Sequence, residues 1–240
     1  MTSVATTDVR RAGGRFSTRL PWLESRHSFS FSRHYDPANT HHGLLLVNND
    51  DIVRPGTGFS THPHQDMEIV TWVLEGELEH KDSVGHRGVL YPGLAQRMSA
   101  GRGIWHSEMN PRDEDAVHFV QMWVLPDTER VDPSYEQLDI NGELSRGGLV
   151  PIASGRGHDA AISIRQRGAV LWGGRLHPGE EAAVPDARLA HLFVARGALI
   201  VEGAGRLEAG DAVRFTEAGT PSITADPSEG AEVLIWELAA

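Results

Sequence analysis

Val73-Leu74-Glu75-Gly76-Glu77-Leu78, followed by Gly93-Leu94-Ala95-Gln96-Arg97-Met98, returns later as Val194-Ala195-Arg196-Gly197-Ala198-Leu199 and Gly210-Asp211-Ala212-Val213-Arg214-Phe215. The shared signatures are V-x-x-G-x-L and G-x-A-x-R-apolar. Two tandem copies of one barrel account for both the echo and a length of 240 residues. Around them lie runs such as Gly43-Leu44-Leu45-Leu46-Val47, Ile69-Val70-Thr71-Trp72-Val73-Leu74, His118-Phe119-Val120-Gln121-Met122-Trp123-Val124 and Val233-Leu234-Ile235-Trp236. They are strand-length, rich in β-branched and aromatic residues, and bounded by turn formers. No long segment has helical periodicity, so the expected class is all-β: two tandem jelly-roll β-barrels. The join is expected near Pro126 to Gly148, where Asp127, Glu129, Asp132, Pro133, Asn141 and two adjacent glycines interrupt the strands. That gives an N-terminal barrel over residues 1–135 and a C-terminal one over 136–240.

Composition narrows the chemistry. There is no cysteine, which removes disulfides, thiolate ligands and cysteine nucleophiles together. Lys81 is the single lysine, in a polar strand end or turn, a poor setting for Schiff-base catalysis. A net charge of −11 argues against direct nucleic-acid binding, which relies on a basic face. No apolar run approaches the roughly 20 residues of a membrane span, and Met1 to Arg15 lacks the apolar core of a signal peptide. A cytoplasmic location is the expectation.

The chemistry-bearing stretch is His62-Pro63-His64, answered by His106-Ser107-Glu108. Residues two apart on a strand point to one face, so each triplet can aim two metal-capable side chains into one cavity. Imidazole nitrogen plus carboxylate oxygen suits a divalent first-row metal better than a structural zinc site. Pro63 lacks a backbone donor and suits an edge strand or strand start. Glu68 competes with Glu108, because it shares the parity of His62 and His64. Gln96 and Met98 share a face if Leu94 to Met98 is a strand, and that face either lines the same cavity, where both would support the ligands, or fills the core. Trp72 is expected to fill the barrel core, and Asp82 and Ser83 to bond their own turn. His86 either supports the site from behind its ligands or, the reading preferred here, is an exposed loop residue. The other histidines, among them His27, His34, His41, His42, His118, His158, His177 and His191, show no spacing that converges with the quartet. An ungapped count onto the second copy lands on Ala183, Pro185, Ile223 and Ala225, none of which binds a metal through its side chain. The second barrel is expected to be without metal.

The combination His62-Pro63-His64-x-x-x-Glu68, the Gly76 turn, His80-x-Asp82-Ser83-x-Gly85 and Gln96-x-Met98-Ser99-Ala100-Gly101-x-Gly103-Ile104-x-His106-Ser107-Glu108 resembles the pirin family of the cupin superfamily. Asp66-Met67-Glu68-Ile69, His27-Ser28-Phe29-Ser30-Phe31 and Tyr135-Glu136-Gln137 look like its bacterial quercetinase-like branch. The resemblance is dense from about residue 15 to 137. It implies a bicupin fold and a metal quartet of His62, His64, His106 and Glu108, with Glu68 near the metal but not a ligand. It also implies a non-haem quercetin 2,3-dioxygenase-like oxidoreductase acting with O₂ on flavonol-like enolizable substrates, with Glu108 as the catalytic proton acceptor. The implied cofactor is one divalent transition metal, Fe(II) favoured, with Mn, Co, Ni, Cu and Zn as alternatives. Eukaryotic relatives are nuclear redox-responsive cofactors of transcription, so the alternative is a metal-binding, redox-responsive regulator acting through protein partners. Where those relatives commonly carry Arg-Gly-Phe, this chain has Gln65-Asp66-Met67, which weakens that alternative.

Overall fold

The short apolar runs and the turn formers between them become strands almost throughout. The computed structural model describes residues 5–217 and 219–239. In chain order come β1 (Thr6–Arg10), β2 (Phe16–Arg19), β3 (Leu23–His27), β4 (Leu45–Val53), β5 (Gly58–His64), β6 (Glu68–Glu75) and β7 (Leu78–Asp82). Next are β8 (Arg87–Leu90), β9 (Leu94–Ser99), β10 (Ile104–Met109), β11 (Val117–Val124), β12 (Ser134–Asp139) and the short helix α1 (Asn141–Leu144). The second half adds β13 (Val150–Ser154), β14 (Ile162–Ser163), β15 (Ala169–Leu176), β16 (Glu181–Ala183) and β17 (Leu189–Val201). It ends with β18 (Gly205–Glu208), β19 (Ala212–Thr216), β20 (Ser222–Ala225) and β21 (Ala231–Leu238). No helix among the described residues is long and apolar enough to cross a membrane.

Each half is a jelly roll of one large sheet facing one small sheet. In the first half the orders are β12-β9-β6-β11-β4-β3-β2 and β5-β10-β7-β8. The second half repeats them: β1-β19-β17-β21-β15-β13-β14 is the large sheet, and β16, β20, the distal part of β17 and β18 make the small one. The repeated sequence signatures sit at matching places. V-x-x-G-x-L is the corner where the chain leaves the large sheet for the small, with Gly76 at φ 77° and Gly197 at φ 66°. A Cβ on Gly76 would lie 2.7 Å from the Ala116 carbonyl oxygen, and one on Gly197 2.2 Å from that of Gly230. Positive φ and close backbone approach both call for glycine here.

The halves trade edge strands. β1 leaves the first half to pair with β19, while β12, across residue 135, folds back onto β9. Both receiving strands are the G-x-A-x-R segments.

The two large sheets pack face to face. Val70, Trp72, Leu74, Val120 and Met122 from one meet Ile152, Leu171, Phe193, Leu234 and Trp236 from the other in the largest apolar cluster. Trp72 therefore lies between the halves, outside the barrel interior where parity placed it, and its Nε1 donates to Glu232 at 2.7 Å. Because β6 is buried on both faces, alternation along it does not tell which face meets which core. Trp72→Ala would open a cavity in this shared core and is expected to cost about 3–5 kcal/mol. Urea melts should show one earlier transition for the whole chain; an unchanged midpoint would contradict a shared core.

The interiors of the two jelly rolls differ. The second is lined by apolar side chains such as Val184, Leu192, Leu199, Phe215 and Ile235, and includes Ile223 and Ala225. The first buries Ser25, Asn49, Asp51, His80, Gln96, His106, Glu108 and Gln121. Buried polar groups need partners, which makes the first interior the place to look for chemistry.

Candidate metal centre

β5 is an edge strand of the small sheet, as Pro63 requires. It pairs with β10 so that His106 stands opposite His62 and Ile104 opposite His64. The turn before β10 is supplied by Gly101 at φ 48° and Gly103 at φ 133°. A register shift falls between His106 and Glu108, where β5 spends two residues, Ser60 and Thr61, opposite Ser107. Such bulges re-aim side chains and free ladder groups. The Ser60 carbonyl accepts a hydrogen bond from His62 Nδ1 at 2.8 Å. A carbonyl only accepts, so Nδ1 carries the proton and Nε2 keeps its lone pair, the arrangement metal-binding histidines use.

The three imidazoles converge. Each of His62, His64 and His106 offers a ring nitrogen within 4.8 Å of the others, and among the described residues no other group of three His, Asp or Glu donors does so. Ring centroids are 4.4 Å apart for His62 and His106, and 4.9 Å for His64 with either neighbour. His64 Nε2 and both ring nitrogens of His106 are buried without a hydrogen-bond partner. Burial, then the neighbouring His106 and His62, bring His64 down to about 4, against the pull of Glu108. Burial, then His62 and His80, bring His106 down to about 3. Both rings are thus neutral at pH 7, with lone pairs that no protein group satisfies. Orphaned, neutral nitrogens in a thiolate-free setting fit a divalent first-row metal.

Glu108 is buried on the same face of β10 as His106, yet it lies outside the converged group. Both its oxygens accept from Gln121 Nε2, at 2.8 and 2.9 Å. Gln121 Oε1 in turn accepts from Trp123 Nε1 at 3.1 Å, and the Trp123 ring stands edge-on to His64 at 4.9 Å. The carboxylate is therefore held from the facing sheet by a side chain that is itself fixed. Gln121 belongs to no motif of the sequence. Its signal was a polar residue at the inward parity of a buried strand, between Phe119 and Trp123.

On the other flank, the His80 ring lies 5.3 Å from that of His106. Asp82 Oδ2 accepts from His80 Nε2 at 3.3 Å and His86 Nδ1 at 2.9 Å, while Oδ1 accepts from the backbone N–H groups of Val84, Gly85 and His86. Asp82 thus holds its own turn, as expected, and also joins two histidines. Burial raises its carboxyl, but these bonds outweigh that and hold it below the usual range. Tyr135, on the exchanged strand β12, stacks near both histidines, and burial with Asp82 and Glu108 pushes its hydroxyl up to about 12.

Glu68 faces away from the triad. It accepts from Ser99 Oγ at 2.8 Å and from the Arg165 backbone N–H at 3.1 Å, tying the first half to the second. Its parity with His62 and His64 had no bearing, since parity holds only within one strand. Met98 packs with Ile69, Ala100 and Ile104 against Trp123, one layer from His64. Gln96 is buried on the same face of β9, with its Oε1 unpartnered. A cavity of about 200 Å³ lined by Trp22, Phe31, Asn49, Asp51, Phe59 and Gln121 reaches toward the triad through Phe59 and Gln121, although none of the three histidines lines it. Phe59 is 6.4 Å from the His62 ring, and Phe31 is edge-on to Trp123 at 5.6 Å.

Known proteins share this plan. Residues 7–124 match the model of the Pirin family, and residues 151–238 that of the quercetinase C-terminal cupin domain. "Putative quercetin 2,3-dioxygenase Rv0181c" of Mycobacterium tuberculosis is 59% identical over 235 residues, covering 98% of this chain and 96% of the relative. The Escherichia coli K12 protein named quercetin 2,3-dioxygenase is 46% identical over 129 residues, 54% of this chain and 56% of its own. The crystal structure of the bacterial pirin YhhW from Escherichia coli in complex with nickel(II) superposes with a TM-score of 0.89 at 33% identity, over 98% of this chain and 99% of that one. With near full-length identity of 59% and paired sheets repeated in both halves, this chain belongs to the pirin family and is built of two cupin-type domains.

Proposed function

We propose that the chain is a metal-dependent dioxygenase of quercetin 2,3-dioxygenase type, using O₂ and a flavonol-like enol. The observation that carries this reading is the convergence of His62, His64 and His106, the last two with buried ring nitrogens that no protein group satisfies. His62, His64 and His106 would hold the ion, with Glu108 as the carboxylate of the site and Fe(II) as the favoured metal. The relatives' names and the nickel-bound neighbour support the same class of chemistry.

A divalent metal bound there supplies Lewis acidity toward an enolic hydroxyl and a centre for electron exchange with O₂. The protein's own contributions follow from the side chains. Trp22, Phe31 and Phe59 offer flat apolar surfaces to an aromatic ring. At about 200 Å³ the cavity is below the roughly 300–1,000 Å³ of pockets for drug-sized ligands. A flavonol would therefore enter this cavity only in part. Glu108, fixed by Gln121, is placed to take the hydroxyl proton, a role that needs a carboxylate positioned before substrate arrives. The apolar side chains around Trp123, Met98 and Ile104 exclude water from behind the triad.

Metal-free protein reconstituted under air with Fe(II), and in parallel with Mn(II), Co(II) or Ni(II), is expected to bleach the flavonol absorbance band and release carbon monoxide. If the band persists with every metal bound at one equivalent, the dioxygenase reading fails.

A further inference from the structure

Arg97 and Arg214 occupy the same position of the repeated G-x-A-x-R signature, and each reaches from its own large sheet toward the other half. Arg97 is fully answered there. It donates to the Ser163 carbonyl, to Ser99 and Ser134, and to the Glu136 carboxylate at 2.8 Å. Glu136 stands directly opposite Arg97 in the β12–β9 register.

In the second half β1 takes the place of β12, and Asp8 stands opposite Arg214 as Glu136 stands opposite Arg97. Asp8 is shorter, and its Oδ2 is taken by Arg10 at 2.7–2.8 Å. Arg214 is left with neutral partners, the Ser28 carbonyl at 2.8 Å and Asn39 Oδ1 at 2.7 Å, and with the face of Phe29 at 4.4 Å. It is 6% exposed, its Nε has no partner, and among the described residues no carboxylate lies within 4.0 Å. A buried charge without a counter-charge is costly.

Arg214 lines a cavity of about 340 Å³ between the halves, beneath the N-terminal segment. Two more buried donors line it. Arg15 has a side chain 3% exposed and an unpartnered Nε, its other nitrogens going to Asp50, Gly210 and Arg26. His191 is 0% exposed, with neither ring nitrogen bonded. Asp36, the acidic residue of the lining, already caps its own turn through Ala38 N–H. Arg214 thus brings to this space a guanidinium with, among the described residues, no carboxylate within 4.0 Å, while Arg15 and His191 keep unbonded nitrogens within its wall.

We propose that this cavity is a binding site for a small oxyanion, a carboxylate or a phosphate, held by Arg214. The anion takes the place that Glu136 fills beside Arg97, and planar guanidinium groups suit either head group. The site is independent of the metal centre.

Isothermal titration of the full chain with inorganic phosphate and, separately, malonate, against sodium chloride at matched ionic strength, tests this. One saturable site per chain is expected for at least one probe, and the probe that binds identifies the head group. Arg214→Gln should weaken that binding by about tenfold or more, and Arg214→Lys, which keeps the charge and the fold, should weaken it by less. His106→Ala should leave it unchanged. Saturable binding by neither probe, which Asp8 swinging onto Arg214 would produce, overturns the proposal. So does an affinity that both Arg214 variants retain, or one lost in His106→Ala.

Discussion

His106→Ala is expected to reduce bound metal from one equivalent to a small fraction and to lower flavonol turnover by more than about a hundredfold. Loss of a group that merely orients a ligand typically costs 10–100-fold, and His106 stands at the centre of the donor set. Its ring is 4.4 Å from His62 and 4.9 Å from His64, and it is the only one of the three with both nitrogens buried and unbonded. Two edge-strand imidazoles from β5 then remain, with no imidazole from β10 and only the Glu108 carboxylate, itself bonded to Gln121, left on that strand. The fold should survive, because the second half and the apolar core between the large sheets do not depend on this ring. Elemental analysis alongside the melting curve checks both points. Full metal retention in a folded variant would contradict the assignment.

Glu108→Gln is expected to lower turnover by about 10²–10⁴, the range for loss of a positioned general acid or base, whereas Glu68→Gln should leave turnover within a few-fold and act on stability. The contrast rests on where the two carboxylates go. Glu108 is presented on the His106 face with both oxygens steadied by Gln121. Glu68 is spent on Ser99 and on the Arg165 N–H of the other half. The substituted amide can still accept from Gln121 through its one oxygen, so Glu108→Gln keeps the side-chain volume while removing the carboxylate charge and one of the two contacts with Gln121. Steady-state flavonol kinetics on the two variants, each loaded with metal, decide it; equal losses, or a larger loss for Glu68→Gln, would reverse the roles.

The parts of this molecule that the sequence discloses are those set by local geometry. Gly76 and Gly197 mark equivalent corners because a positive φ and a crowded backbone admit little else. His62 and His64, like His106 and Glu108, share faces because strands alternate, and Ile223 and Ala225 already point to the apolar interior of the second copy. What stayed hidden depends on which strand neighbours which. Glu68 and Trp72 have the parity of the histidines but lie on a strand buried on both sides, and their face meets the other half. Gln121 reaches Glu108 only because two sheets face each other. Tyr135 comes beside His80, and Asp8 beside Arg214, only because β12 and β1 exchange edges, an arrangement no spacing along the chain records.

The proposed metal centre places one ion among His62, His64 and His106 in the first domain and none in the second. Anomalous diffraction from crystals of the chain loaded with Fe(II) or Ni(II), collected at the metal's absorption edge, tests it most directly. The account predicts a single strong peak per chain, bounded by those three imidazoles. A peak in the second domain, or beside other histidines with none at this triad, would contradict it.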